Sequence, residues 1–244
     1  MSDPSKIRLC YPCGFFRPGD AEDPIAGEYQ RIGGAIWPKT ARLFWDKLKA
    51  VPAETVAGFS GGTLAGNGSI QVPFLNETWR VDPREESVTR VDETKGNADD
   101  EWDSQIPFLV LVYLANVRKD PAAYDMVVPR DLFKGVDIFR NGLQLEMNQV
   151  EETFGNDREG FLRIAERLGG EPVRGGDAAV RFHLFPKFPA DYILWLGDSE
   201  FPASLTLLVD RGTPHHLTAD AIGVALNLLS RRLCRDAVPG SLSK

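Results

Sequence analysis

The chain has 244 residues, of which 43% are hydrophobic and 26% charged, close to the average for globular proteins. This length and composition allow a sizeable apolar core, and they argue against disorder and against a small fold that depends on disulfides. The formal net charge of -7 disfavours nucleic acid as a partner, because binding to nucleic acid depends on Lys and Arg contacts to phosphates.

The chain shows no signal for export or for membrane insertion. The first residues, Met1 to Lys6, lack the basic stretch and apolar run of a secretory signal. The longest nearly uninterrupted apolar run, Ile106 to Ala115, is about half of the roughly 20 residues that a membrane-spanning helix needs. We therefore expect a cytoplasmic protein with no membrane partner.

The N-terminal segment differs in composition from the rest of the chain. Residues 1–35 are rich in Pro and Gly and show no hydrophobic period, so they are predicted to form an irregular arm. Cys10 and Cys13 lie in this arm as a Cys-x-x-Cys motif. Residues 36–240 are predicted to form a single α+β domain.

A helical period follows the arm. Pro38 suits the first turn of a helix, and Pro52 is predicted to restart the helix, which then ends at Gly61 and Gly62. The apolar residues predicted to share the inward face of the first helix are Leu43, Phe44, Leu48 and Val51.

The middle of the chain switches to a period of two. Residues 63–91 alternate apolar and polar side chains, which predicts strands joined by a hairpin turn at Leu75-Asn76-Glu77. The next helix, at about residues 105–117 with Ser104 as N-cap, is apolar on all sides and is expected to lie in the core. Further on, Gly155 is predicted to end one helix and Asp157 to cap the next.

The last third of the chain contains a second group of strands, followed by a helix that Thr218 caps. The predicted strands are residues 178–185, 192–196 and 204–209. Antiparallel strand clusters at about residues 63–91 and 178–209, packed against four to five helices, indicate an α+β fold. A doubly wound parallel sheet is disfavoured, because strands and helices do not alternate along the chain.

Several short motifs resemble one family of uncharacterised prokaryotic domains. They are Val72-Pro73-Phe74-Leu75, the segment Phe108 to Leu114, Leu168-Gly169-Gly170, the run Gly176 to Phe182, and the run Leu194 to Pro202. In this order, over about residues 40–235, they resemble the domain-of-unknown-function 3786 family, many members of which come from anaerobes. The resemblance implies a setting of cysteine-ligated iron-sulfur modules or anaerobic metalloenzymes, and it assigns no activity and no catalytic residue.

The candidate ligand-binding residues centre on one bend of the second strand cluster. Asp198 and Glu200 project to the same side of an extended chain, where two carboxylates can bind a cation or split their pKa values for acid-base work. Asp177 is expected beside them, and the aromatic rings of Trp195, Phe201 and Phe188 are expected to supply an apolar wall. In the alternative interpretation, Asp198 caps a tight turn through Gly197 and Glu200 is solvated.

The histidines give a weaker signal. His183 lies in a predicted strand on the same face as Arg181, and we include it among the candidate ligand-binding residues, although a surface or rim position is the simpler interpretation. His215 and His216 are adjacent in a predicted loop, and neighbouring histidines rarely bind one metal. Because no histidine pair has the helical spacing of a zinc hydrolase, such an enzyme lacks support.

Cys10 and Cys13 are the candidate metal ligands. Their spacing allows both thiolates to reach one metal or iron-sulfur cluster, or to close a small redox disulfide. A tetrahedral site needs two more ligands, which only Cys234 or a partner chain can supply. The alternative is a pair of reduced structural thiols. The glycine-rich run 58–68 lacks the Gly-Lys-Ser/Thr ending of a phosphate-binding P-loop and is predicted to be a turn.

These patterns favour a non-catalytic accessory or ligand- or cofactor-binding protein, whose partner is a small molecule or another protein. The family resemblance adds the link to anaerobic metalloenzyme metabolism. One alternative is an enzyme that uses the acidic site, with Asp198, Glu200 and His183 in acid-base or metal-assisted chemistry. The other is an iron-sulfur or redox protein centred on Cys10 and Cys13, in which an iron-sulfur cluster or zinc is the cofactor.

Overall fold

The α+β prediction is confirmed by the structure, a computed structural model that describes residues 29–32, 35–38, 40–91, 103–133 and 145–237. These residues form antiparallel sheets of four and five strands and six helices, where four to five helices were predicted. The chain divides into two compact units, Met1–Asp120 with His215–Ala221, and Pro121–Pro214 with Ile222–Lys244. The single domain over residues 36–240 stays a prediction.

The first unit contains a small hairpin, three helices and the four-stranded sheet. The hairpin lies partly within the predicted arm, so residues 29–32 are a strand where irregular structure was predicted. The elements are β1 (Tyr29–Ile32), β2 (Ala35–Pro38), α1 (Ala41–Lys49), α2 (Ala53–Ser60), β3 (Thr63–Leu64), β4 (Ile70–Phe74), β5 (Glu77–Asp82), β6 (Ser87–Arg90) and α3 (Ile106–Asn116).

Helix α1 differs from its predicted form in its start and in its buried face. Pro38 ends β2, and the helix begins at Ala41. Its buried residues are Ala41, Trp45 and Leu48, spaced at i, i+4 and i+7, whereas Leu43 is 64% exposed. The large apolar surface of Trp45 therefore decides which face turns inward, and the predicted stripe through Leu43 and Val51 was wrong.

The four-stranded sheet has the predicted period of two. Its strand order is β3-β4-β5-β6, and all neighbours are antiparallel. The hairpin turn is confirmed between β4 and β5, where Leu75 has a positive φ of 51°. The alternating buried residues are Ile70, Val72, Phe74, Trp79 and Val81.

Helix α3 is the core of the first unit, as its all-round apolar sequence predicted. Seven consecutive residues, Phe108 to Leu114, are buried. The hydroxyl of Tyr113 donates to the carbonyl of Ser60 at 2.9 Å, so the polar group of this buried side chain has a hydrogen-bond partner. Gln105, and not Ser104, is the N-cap residue, because a 3₁₀ turn over Asp103–Gln105 precedes the helix. No helix in the described part of the chain is long and apolar enough to cross a membrane.

The second unit contains the five-stranded sheet and the helices that pack on one of its faces. The strand order is β7-β11-β10-β9-β8, with antiparallel pairing throughout. The elements are β7 (Met126–Val127), α4 (Met147–Phe154), α5 (Arg158–Arg167), β8 (Glu171–Pro172), β9 (Ala178–Phe185), β10 (Phe188–Trp195), β11 (Ser204–Asp210) and α6 (Ala219–Ala237), the last beginning in the first unit.

The buried face of the five-stranded sheet is built around aromatic residues. Phe182 on β9 and Tyr192 on β10 are fully buried, and their rings meet edge to face with centroids 5.5 Å apart. The Tyr192 hydroxyl donates to the carbonyl of Leu226 on α6 at 3.0 Å. Burial raises the pKa of Tyr192, which favours the protonated hydroxyl that donates this hydrogen bond.

Two helix ends follow their predicted form. Helix α4 ends at Gly155, and the carboxylate of Asp157 caps α5 by accepting from the N–H of Gly160 at 2.8 Å. Strand β10 begins at Phe188, four residues before its predicted start, and it accommodates Pro189 at a β-bulge, a position at which proline is tolerated in a sheet.

Candidate functional site

The structure places the predicted site residues at two separate positions of the five-stranded sheet. His183 on β9 lies opposite Pro189 on β10, whereas Trp195 ends β10 six residues further along. At about 3.3 Å per residue, His183 and Trp195 are about 20 Å apart. The bend that contains Asp198 and Glu200 follows Trp195, so His183 does not join those carboxylates.

The bend between β10 and β11 is held by Asp198. Its carboxylate oxygen Oδ1 accepts from the N–H groups of Glu200 and Phe201, both at 2.7 Å. The backbone N–H of Asp198 donates to the carbonyl of Phe201 at 2.9 Å. Asp198 and Glu200 are both exposed. This geometry is the turn-capping arrangement that was the alternative to a binding role.

The two hydrogen bonds from Phe201 and Glu200 hold the pKa of Asp198 below its usual range. Because the folded-state pKa is lowered, Asp198 contributes stability above the pKa of an unfolded Asp, and this contribution is lost as the pH falls through the lower, folded value. We expect Asp198→Asn to remove that part of the acid-induced loss of stability, since Asn also accepts at Oδ1 but does not titrate. Urea unfolding of both proteins between neutral and acidic pH checks this; parallel profiles would contradict it.

The aromatic residues expected beside this bend do not form a common wall. Trp195 is 48% exposed and donates from Nε1 to the hydroxyl of Thr206 at 3.3 Å. Phe201 is 67% exposed, whereas Phe188 is fully buried. The bend thus presents the exposed rings of Trp195 and Phe201, and the carboxylate of Asp198 already accepts hydrogen bonds from the backbone of the bend.

Asp177 lies in the loop that leads into β9, and its hydrogen bonds hold that loop in place. Its Oδ2 accepts from the N–H of Leu196 at 2.8 Å, and its own N–H donates to the carbonyl of Leu194 at 2.9 Å. Its carbonyl accepts from Nε of Arg158 on α5 at 2.8 Å. Asp177 therefore joins helix, loop and strand at one edge of a groove.

This groove is a polar surface depression of about 700 Å³ between α5 and the loop that joins β8 to β9. Residues 170–180 form one wall, and one face of α5 forms the other. The cationic lining residues are Arg158, Arg163 and Arg174. The remaining charges come from Asp177 and three glutamates, so the groove presents both signs of charge.

The arginines of the groove differ in how strongly they are engaged. Arg158 binds the carbonyl of Asp177 and forms an ion pair with Glu159 at 2.7 Å. Arg163 and Arg174 are exposed, and neither forms an ion pair with any residue that the structure describes. Two guanidinium groups are thus available to a ligand in the groove.

His183 belongs to a separate cluster on the opposite face of the sheet. Arg181 forms a bidentate pair with Asp191 at 2.6 and 2.7 Å, and this hydrogen bonding raises the pKa of Arg181. The guanidinium lies 5.3 Å from the ring centre of Tyr124, whose hydroxyl is 3.4 Å from Nε2 of His183. Tyr124 has a positive φ of 55°, a backbone conformation that non-glycine residues rarely adopt.

We expect Asp191→Asn to lower the free energy of unfolding by about 2 kcal/mol, because Asp191 is 6% exposed and its loss leaves the half-buried Arg181 without a counter-charge. The matched control is Asp125→Asn, which removes the exposed pair with Arg211 and is expected to cost less than about 1 kcal/mol. Urea unfolding measures both. Equal effects of the two substitutions would contradict this account.

The predicted metal ligands Cys10 and Cys13 lie outside the described residues. Cys234 on α6 is half-buried, and burial raises the pKa of its thiol, which disfavours the thiolate that binds metals. Within the described ranges, no group of three or more His, Cys, Asp or Glu side chains is placed to hold a metal ion. The iron-sulfur or zinc site at Cys10 and Cys13 stays a prediction.

The groove arginines were missed by sequence reasoning, although the sequence carries a signal for them. Glu159, Arg163 and Glu166 are spaced at i, i+4 and i+7 and share the polar face of α5. The pair Gly175-Gly176 between charged residues marks the loop opposite that face. Neither pattern alone shows that the two segments meet.

No curated protein and no solved structure matches the chain. One protein family does, described as "Domain of unknown function (DUF3786)", over residues 53–232. The match covers well over half of the chain and includes the whole lining of the groove. The chain therefore belongs to the DUF3786 family, as the order of its short motifs predicted.

Proposed function

We propose that the chain is a ligand-binding protein without catalytic chemistry of its own, and that its ligand occupies the groove between α5 and the β8–β9 loop. The observation that carries the proposal is the groove itself. Its volume of about 700 Å³ lies in the range typical of small-molecule sites, about 300 to 1,000 Å³. It also combines free guanidinium groups with acidic side chains, which can orient a polar ligand.

Two features favour binding over acid-base catalysis. Asp198 is engaged by the N–H groups of its own bend, and His183 lies about 20 Å from that bend by the rise of a strand. General acid-base catalysis needs both groups within hydrogen-bond reach of one reacting centre. The enzyme alternative based on Asp198, Glu200 and His183 therefore has less support than a binding role.

The family resemblance extends the proposal to the cellular setting. We infer that the ligand, or the protein that receives it, belongs to anaerobic metalloenzyme metabolism. A Cys-x-x-Cys motif at Cys10 and Cys13 fits such a setting. Anaerobic purification followed by absorbance and metal analysis, on the wild type and on a Cys10→Ala/Cys13→Ala variant, separates this role from that of an iron-sulfur protein.

The direct test of the binding role fills the groove. The full chain is mixed with a small-molecule extract of an anaerobic bacterium, desalted and weighed by native mass spectrometry. Leu162→Trp places a large ring in the lining of the groove, whereas Leu43→Trp changes a side chain that is 64% exposed. We expect an adduct on the wild type and on the Leu43 variant that is missing from the Leu162 variant. An adduct that survives Leu162→Trp, or no adduct at all, would overturn the proposal.

A further inference from the structure

We infer that the ligand of the groove carries an oxyanion, a phosphate or a carboxylate, which Arg163, Arg174 and the backbone N–H groups of Gly175 and Gly176 bind together. This inference rests on the proposed function, because it names the chemical class of the ligand in the same groove. Three observations support it: unengaged N–H groups, a loop that is fixed in advance, and two available cationic side chains.

The N–H groups of residues 174–176 donate to no described residue, and all three residues are exposed. Gly175 and Gly176 have φ angles of 152° and 51°, so the loop turns through a conformation that side chains would strain. Successive N–H groups in such a turn form a concave donor surface that suits anions. A bound oxyanion would give these donors acceptors other than water.

The loop is held in place before any ligand binds. The N–H of Val173 donates to the carbonyl of Ala179 at 2.9 Å, and Asp177 makes its three bonds to Leu194, Leu196 and Arg158 on the other side of the glycines. The two ends of the turn are therefore anchored on β9, β10 and α5. A donor set fixed in this way loses little conformational entropy on binding.

The charges of the groove define the rest of the ligand. Arg163 and Arg174 supply charge-assisted donors, and Arg is well suited to bidentate recognition of phosphate and carboxylate groups. Glu166 and Glu171 also line the groove, and they would repel a ligand that is anionic throughout. The ligand is thus expected to combine one oxyanion with hydrogen-bond donors such as amines or hydroxyls.

The test is isothermal titration calorimetry of the full chain at low ionic strength with two separate probes, each of which carries one oxyanion and one amine. They are phosphoethanolamine, which presents a phosphate, and β-alanine, which presents a carboxylate. We expect at least one probe to bind, with phosphate and carboxylate ligands distinguished by which one does. Arg163→Ala and Arg174→Ala should each weaken binding about tenfold. Arg80→Ala, which removes an exposed arginine of β5, should leave the affinity unchanged.

The inference is overturned if neither probe binds, or if both groove variants bind as tightly as the wild type. This failure can be told apart from failure of the proposed function. If neither probe binds while Leu162→Trp still removes the adduct from the small-molecule extract, the oxyanion class is wrong and the binding role stands. If the adduct is also missing from the wild type, both are wrong.

Discussion

Phe182→Ala is expected to lower the free energy of unfolding by about 4 kcal/mol. Phe182 is fully buried on β9, and its ring packs edge to face on Tyr192 at 5.5 Å. Truncation removes that aromatic contact and leaves a cavity in the layer between the sheet and its helices, which close-packed neighbours fill only in part. Urea unfolding followed by circular dichroism measures the change.

The matched control for Phe182 is Phe201→Ala, the same substitution in the same unit. Phe201 is 67% exposed, so its loss is expected to change the free energy of unfolding by less than about 0.5 kcal/mol. A loss of about 1 kcal/mol or less at Phe182, which is the cost of an average substitution, would show that the sheet is not packed as described.

Gly176→Val is expected to lower the free energy of unfolding by about 3 kcal/mol and to abolish ligand binding in the groove. Gly176 has a positive φ of 51°, which a β-branched residue tolerates poorly. A Cβ at this position would also lie 2.5 Å from the carbonyl oxygen of Leu194 and 2.9 Å from Cγ2 of Ile193. The loop must therefore leave β10, and its N–H groups leave the groove with it.

Gly66→Val is the control for the loop substitution. Nothing lies within 4 Å of a Cβ placed on Gly66, so its cost should be below about 1 kcal/mol. Binding of the phosphoethanolamine or β-alanine probe should be unaffected, since Gly66 lies outside the groove lining. If Gly176→Val binds the probe like the wild type, the loop is not part of the site.

Local patterns predicted the elements of the fold well, because each depends on residues that are close in sequence. The cap at Asp157, the end of α4 at Gly155 and the alternation of β4 and β5 all have this origin. The prediction of the inward face of α1 was wrong because the helix carries two apolar stripes. Only tertiary packing determines that the stripe with Trp45 is buried.

Long-range geometry explains why the sites were harder to predict. Phe188 lies opposite Phe185, and an uninterrupted hairpin would place Arg181 opposite Tyr192. The bulge at Phe188/Pro189 shifts the register by one residue and brings Asp191 opposite Arg181. No pattern in the sequence fixes such a shift, and the cluster around His183 depends on it.

The bend at Asp198 depends, by contrast, on local geometry alone. The carboxylate of Asp198 is satisfied by N–H groups two and three residues ahead of it, so a purely local turn accounts for the residue that the two-carboxylate pattern assigned to ligands. Of the candidate set, Asp177 alone lines the groove. Its partners there lie on α5 and in the β8–β9 loop, which the fold brings together.

The central claim is that the groove beside α5 binds a ligand through the turn at Gly175 and Gly176. The most direct measurement is a titration of the ¹⁵N-labelled chain with phosphoethanolamine, and in parallel with β-alanine, followed by amide proton-nitrogen spectra. We predict saturable shifts of the Gly175 and Gly176 signals, with the signals of Gly58 and Gly66 unchanged. Unmoved Gly175 and Gly176 signals, or shifts centred on the bend at Asp198, would contradict the claim.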